Sequence, residues 1–330
     1  MSQTHELEQL YTERVRVDEA LQDEYRALLK HIVELMISKM KAVSPDFNAL
    51  YRETYYGGSF FDRLKVNSTD QEFDLNIVFK RIPMEVTGLG EDPAKENFCS
   101  LLVTKPSPSS DCCGCSDYCD CSDCCDCSDS ARTEEEKIVD KSWWTGEATL
   151  SPAKMFQLLQ RSIDRALTSL GNKMVHQGIR YRVTREIHAP VTLVIVAEDG
   201  SKTCEVDLVP AFKLELESLL NSIRDPRLKN YKLHQRVTQL DEKFNGNTHP
   251  RTFMAVALHK ADPRKFELDF HDVERQILYN RGCVKKVIKL VKYLRDIKGG
   301  TMLKLWSHLL KVSRLKKFND KQIISVSRLQ

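Results

Sequence analysis

The chain has 330 residues, 50 Lys and Arg, 47 Asp and Glu, and a formal net charge of +3, enough sequence for one large core or two modest ones. Hydrophobic content of 41% and charged content of 29% describe a soluble globular protein. The opening Met1-Ser2-Gln3-Thr4-His5-Glu6 lacks the basic and apolar regions of a signal peptide, and no apolar run reaches the ~20 residues needed to cross a bilayer. A cytoplasmic or nuclear setting with reduced thiols and no membrane partner is therefore expected.

In chain order, Leu21 to Met40 carries apolar residues at helical spacing, which predicts a long amphipathic helix ended by Ser44-Pro45. Next comes Tyr55-Tyr56-Gly57-Gly58-Ser59-Phe60-Phe61. A glycine pair lets backbone approach a phosphate, and the Ser59 hydroxyl with nearby N–H groups can donate to its oxygens. Glu72 to Phe79 alternates as a strand with Phe73, Leu75, Ile77 and Phe79 inward, so Glu72 and Asp74 project together from the other face. Two adjacent carboxylates aimed at a triphosphate suit hard divalent cations.

Ser151-Pro152 predicts an N-cap and N1 proline for a helix running to Gly171. Val191 to Val196 reads as a strand, Asp199-Gly200 as a hairpin turn, and Thr203 to Val209 as the return strand bearing Asp207. Beyond Leu214 the pattern turns helical, most clearly over His271 to Leu278, Val284 to Ile297 and Met302 to Phe318. The expected organisation is a mixed-sheet lobe with a long N-terminal helix over 1–215, followed by a helical lobe over 216–330.

Charge is uneven along this layout. Arg281 to Gln330 holds 14 Lys and Arg against Asp296 and Asp320, whereas Met1 to Leu50 holds six Lys and Arg against nine acids. A basic C-terminal lobe suits a polyanion such as nucleic acid, and a solvated lysine-rich helix face would carry the same charges. Eight of the 11 cysteines fall between Asp111 and Ser130, among Ser, Asp and Gly. The insertion 105–135 has no run of apolar residues from which to build a core and is expected to be disordered and low in complexity. A thiolate cluster for zinc or copper(I) is the other reading, although the spacing matches no standard zinc finger.

Asp207 completes a constellation with Glu72 and Asp74. Three carboxylates can hold two divalent ions about 3.5–4 Å apart, one at the attacking hydroxyl and one at the leaving pyrophosphate. The order glycine turn, Glu-x-Asp strand, third Asp is the skeleton of a nucleotidyltransferase. Over about Leu21 to Phe318 the chain resembles the cyclic GMP-AMP synthase-like receptors. The likeness rests on Gly58-Ser59-Phe60-Phe61, Glu72-Phe73-Asp74, Glu205-Val206-Asp207-Leu208-Val209-Pro210, Phe270 to Leu278, and Leu290-Val291-Lys292-Tyr293-Leu294.

The resemblance implies an α+β, polymerase-beta-like nucleotidyltransferase fold. It implies that Gly58 and Ser59 meet the triphosphate, and that Glu72, Asp74 and Asp207 hold two Mg2+ or Mn2+ ions. Glu274 and Lys292 would lie at the nucleotides, and Arg275, Lys285 and Lys289 on a nucleic-acid surface. ATP and GTP would be joined into a cyclic dinucleotide read by a STING-type receptor, in antiviral immunity.

Three departures stand out. No zinc insertion separates Asn280-Arg281-Gly282 from Cys283-Val284-Lys285, which favours double-stranded RNA over DNA as activator. Glu267, Asp269 and His271 stand where the family places an arginine and serines. The sequence also stops soon after Phe318, with Asn319-Asp320-Lys321-Gln322 in place of a Ser-Tyr nucleotide contact, as if short at the C-terminus. The competing readings are a catalytically weak nucleic-acid-binding or scaffold relative, and an enzyme that makes linear oligonucleotides.

Overall fold

The computed structural model describes residues 3–66, 71–87, 98–103, 149–186, 191–201, 203–215, 252–257 and 265–297. The cysteine-rich insertion and the expected helix Met302 to Phe318 lie outside them. The chain opens with helix α1 (Gln3–Leu10) and a π-helical turn over Tyr11–Val15. Asp18 then caps α2 (Glu19–Val43), its carboxylate accepting from Ala20 N–H at 2.9 Å. The α2 stripe Tyr25, Leu28, Leu29, Ile32, Val33, Met36, Ile37 and Met40 is buried, whereas Leu21, expected on this stripe, is exposed. Ser44 does more than end this helix. Its hydroxyl accepts from Phe47 N–H at 3.4 Å and caps a further short helix, α3 (Pro45–Leu50).

Strand β1 (Tyr51–Tyr56) leads into the single-turn helix α4 (Gly58–Phe61), then β2 (Glu72–Phe79), β3 (Met84–Thr87) and β4 (Phe98–Val103). Helix α5 (Pro152–Leu170) packs along α2, with Ser162 Oγ donating to Ser44 Oγ at 3.1 Å in the buried seam. Proline at N1 starts it as expected, but Ser151 makes no side-chain cap. Strands β5 (Lys173–His176), β6 (Ile179–Arg185), β7 (Thr192–Ala197), β8 (Thr203–Glu215), β9 (Thr252–Ala257) and β10 (Phe266–Asp269) follow, then α6 (His271–Ile277) and α7 (Gly282–Ile297). This is an α+β fold. Among the described residues no helix is long and apolar enough to cross a membrane.

The strands form one sheet in the order β3-β4-β10-β9-β8-β7-β6-β5. Strand β8 is its hinge. Its first half pairs with β7 and its second half with β9, while β2 runs parallel to it along Glu205 to Phe212. Strands β9 and β10 contradict the expectation that the chain turns wholly helical beyond Leu214, because they extend the same sheet. The reason is local: Phe253-Met254-Ala255-Val256-Ala257 is apolar without alternation, and such a run fits a buried strand or a helix equally well.

Between β5 and β6 the two-residue turn Gln177-Gly178 has φ of +49° and +79°, the pattern of a type I′ hairpin. Glutamine is poorly suited to the first position, where asparagine tolerates the left-handed region better. Gln177→Asn is expected to raise stability by about 0.5 kcal/mol. That corresponds to a gain of about 1–2 °C in the calorimetric melting temperature.

Candidate active site

The acids come together through strand register. In the parallel β2–β8 pair, Glu72 stands opposite Glu205 and Asp74 opposite Asp207. The buried neighbours Phe73, Leu75, Val206 and Leu208 face the core, so Glu72, Asp74, Glu205 and Asp207 share the open face of the sheet. Thr192 lies opposite Asp207 on β7, and its hydroxyl makes a short hydrogen bond to Asp207 Oδ1. Crowding by protein, then the like charges of Asp207 and Glu72, push the Asp74 pKa up, while His271 and Lys65 pull it back.

The glycine turn abuts these acids. Gly58 has φ +77°, and a Cβ built there would sit 2.6 Å from Asp74 Oδ2. Only a residue without a side chain lets the turn lie so close to the carboxylate. Ser59 is the second residue of the α4 turn, and its carbonyl accepts from Leu64 N–H at 2.6 Å. The structure thus brings Gly58, Ser59, Glu72, Asp74 and Asp207 to one end of the β2–β8 pair.

Helix α6 closes the other side of the turn. His271 stacks on Tyr55 with ring centroids 6.0 Å apart, and its Nε2 is 2.8 Å from Asp269 Oδ2. Its buried Nδ1 has no hydrogen-bond partner among the described residues. Burial disfavours its charged form, but the Asp269 hydrogen bond and the charges of Asp269, Glu274 and Asp62 outweigh that and raise its pKa. Tyr55 donates to Asp272 at 2.8 Å.

Arg275, expected on a nucleic-acid surface, keeps 42% of its side chain exposed and also contacts the glycine turn. It donates to Asp62 at 3.1 Å and to the Tyr56 carbonyl at 2.9 Å, and lies 5.2 Å from the Tyr55 ring. It therefore ties α6 to the glycine turn. Glu274 sits in the first turn of α6, close enough to His271 to act on its charge. Lys285, Lys289 and Lys292 lie on α7. Lys285 and Lys289 face a basic cavity, and Lys292 is half-buried one turn beyond Lys289.

The donor set of Glu72, Asp74 and Asp207 is all carboxylate oxygen, which suits Mg2+ or Mn2+. Mutual repulsion at Asp74 is what a cation between these groups would relieve. They are not gathered into a ready chelate: among the described residues no three His, Cys, Asp or Glu side chains are drawn close enough to hold an ion as they stand. Sequence reasoning had not marked Glu205, Thr192 or the Tyr55–Asp272–Arg275 strut. Thr192 and Glu205 become legible only once β7, β8 and β2 are put in register.

A mixed sheet with paired acids on adjacent strands beside a glycine–serine turn defines a nucleotidyltransferase domain. A family model, the Mab-21 protein nucleotidyltransferase domain, matches residues 60–280, and the chain belongs to that family. It is also similar to proteins named cyclic GMP-AMP synthase-like receptor. One from Ctenocephalides felis is 25% identical over 315 residues, covering 91% of this chain and 65% of the relative. One from Microplitis demolitor is 21% identical over 291 residues, covering 84% of this chain and 46% of the relative. One from Tribolium castaneum is 22% identical over 279 residues, covering 82% and 62%. The chain thus spans less than two thirds of the length of these relatives.

Proposed function

We propose that the chain is a nucleic-acid-gated nucleotidyltransferase that joins ATP and GTP into a cyclic dinucleotide. Double-stranded RNA is the activator, a STING-type receptor reads the product, and the setting is cytoplasmic antiviral defence. The observation that carries the reading is the register of β2 on β8, which seats Asp74 beside Asp207 against Gly58. The names of the relatives support the product class.

In this reading the Ser59 turn binds the triphosphate through its hydroxyl and backbone N–H groups. Glu72, Asp74 and Asp207 hold two divalent ions, which supply charge neutralisation and an activated hydroxyl when bound. Asp207 is oriented by Thr192 and takes the position of acceptor for the attacking hydroxyl's proton. Glu274 and Lys292 lie by the nucleotides. His271 and Asp269 present polar groups at the edge of the same turn, where a base or phosphate would pass.

The test is product identity. Purified protein is incubated with ATP, GTP and Mn2+, with and without double-stranded RNA, and the products are separated after phosphatase treatment. A phosphatase-resistant cyclic product that requires RNA is expected. Linear oligomers would replace the proposed product, and no product with any ligand would leave a binding or scaffold role.

Lys285 and Lys289 belong to the proposed RNA face. Charge reversal at both (Lys285→Glu, Lys289→Glu) is expected to weaken RNA binding and flatten its dependence on salt, since each phosphate contact contributes about one unit to the log–log slope. An unchanged slope in fluorescence-polarisation titrations would remove α7 from the RNA face.

A further inference from the structure

The lysine ridge of α7 is met in this fold by the acidic start of the chain. Residues 1–13 contain Glu6, Glu8 and Glu13 and neither Lys nor Arg. Lys286 Nζ donates to both carboxylate oxygens of Glu8 on α1, at 2.9 and 3.3 Å. The same ammonium lies 5.4 Å from the centroid of the Tyr11 ring. Tyr11 lines one cavity with Lys285, Lys286 and Lys289, so the N-terminal segment rests on the helix face to which the RNA reading assigns Lys285 and Lys289. Burial, the largest influence, pushes the Lys289 pKa down, as it does for an ammonium that neighbouring protein shields from water.

The segment is held at its root and loosely beyond it. Val15 is fully buried, and Arg16 after it leaves the π-helical turn in extended backbone. Helix α1 has eight residues, fewer than the ~12–15 that let an isolated helix persist in water. Thr12 donates to the Glu8 carbonyl and Gln9 to the Glu13 carboxylate, both at 2.8 Å, which keeps this stretch wound. Its grip on α7 is superficial, because the Glu8 and Lys286 side chains keep 54% and 47% of their surface exposed. An ion pair so exposed shifts an equilibrium by about fivefold at most.

We propose that α1 and Tyr11 form an autoinhibitory strap across α7, and that duplex RNA binds by displacing it. The Glu8 carboxylate stands where an RNA phosphate comes to stand, since both present anionic oxygens to the same ammonium. The strap rests on the RNA reading of α7 and adds Lys286 to that face as a phosphate contact freed when Glu8 leaves. A protein whose binding face is open only part of the time has its apparent affinity reduced by the open fraction. The acidic segment therefore sets how much RNA is needed, while the catalytic acids are untouched.

Fluorescence-polarisation titration of a labelled RNA duplex with the full chain tests the strap, wild type against the double variant Glu8→Gln, Tyr11→Ala. Removing the ion pair and the ring contact together should tighten RNA binding about tenfold. Asp46→Asn makes the same change of charge in α3, beyond the far end of α2 and roughly 35 Å from its start. It should change affinity by less than about twofold, because salt screens a charge so distant. Amide hydrogen exchange over residues 3–15 gives the second readout. Protection present in the wild type should fall in the double variant, and fall likewise when RNA is added to the wild type.

RNA binding by the wild type with no gain in the double variant would overturn the strap and leave the RNA reading standing. Protection of α1 retained in the RNA complex would do the same. A gain matched by Asp46→Asn would reduce the effect to net charge and also overturn the strap. Binding by neither the wild type nor the double variant would overturn the strap and the RNA reading together.

Discussion

Asp74→Asn is expected to lower nucleotide transfer roughly 10³-fold or more while leaving the folded protein at least as stable. A carboxylate that helps hold two cations stabilises the transition state by several kcal/mol, and each 1.36 kcal/mol is tenfold in rate. Asparagine keeps the shape that packs against Gly58 and removes the charge that Asp207 and Glu72 repel. The stability sign follows from linkage. An acid whose native pKa lies above its unfolded value binds its proton more tightly when folded. Stability therefore falls as pH rises from the ordinary carboxylate range through the raised native value, and the deficit persists at neutral pH.

Without metal, Asp74→Asn should thus melt above the wild type at pH 7, and the difference should shrink toward pH 4. Activity assays with scanning calorimetry at the two pH values check both halves. A variant that loses activity and melts lower would mean that Asp74 holds the fold rather than the chemistry. Asp207→Ala is expected to abolish synthesis as well, with RNA binding intact; in that variant Thr192 also loses its acceptor.

Gly58→Ala is the second large effect. Two costs add at this position. The backbone sits at φ +77°, where a Cβ costs about 1 kcal/mol. The new Cβ would also meet Asp74 Oδ2 at 2.6 Å, with Asp74 Cβ and Cγ at 3.2 and 3.3 Å, so either the turn or the acid must move. Displacement of about 1 Å at a reacting centre costs on the order of 10²-fold in rate.

Gly178→Ala separates the two costs. Gly178 has φ +79°, but nothing lies within 4 Å of the built Cβ. Both variants should melt lower, Gly58→Ala by the larger amount because only it adds the contact with Asp74. Only Gly58→Ala should lose activity, through kcat more than KM. Equal activity in the two variants would show that the tight approach of turn to carboxylate has no catalytic role.

Local features of the site were legible from the chain. The alternation Glu72-Phe73-Asp74-Leu75 gives the strand and its open face, and Gly57-Gly58-Ser59 gives the turn, because both depend on neighbours within a few residues. The pairing of Asp74 with Asp207 was expected only as a constellation, since register between residues 133 positions apart is set by the sheet and not by either strand.

Arg275 shows the opposite limit. On a helix it reads as one more exposed cation, and only the tertiary contact with Asp62 and the Tyr56 carbonyl turns it into a tie between α6 and the glycine turn. The strand at 252–257 was missed because a short apolar run carries no period, whereas Phe266-Glu267-Leu268-Asp269 alternates over only four residues. His271 was visible as a departure from the family pattern, but its stacking on Tyr55 and its Asp269 partner were not.

The most direct measurement is Mn2+ binding followed by electron paramagnetic resonance, with a non-hydrolysable ATP analogue present. Loss of the free-ion signal on adding wild-type protein and nucleotide, and its persistence with Asp74→Asn or Asp207→Asn, is the predicted result. Equal Mn2+ uptake by wild type and both variants would contradict the assignment of these acids, as would no uptake by the wild type.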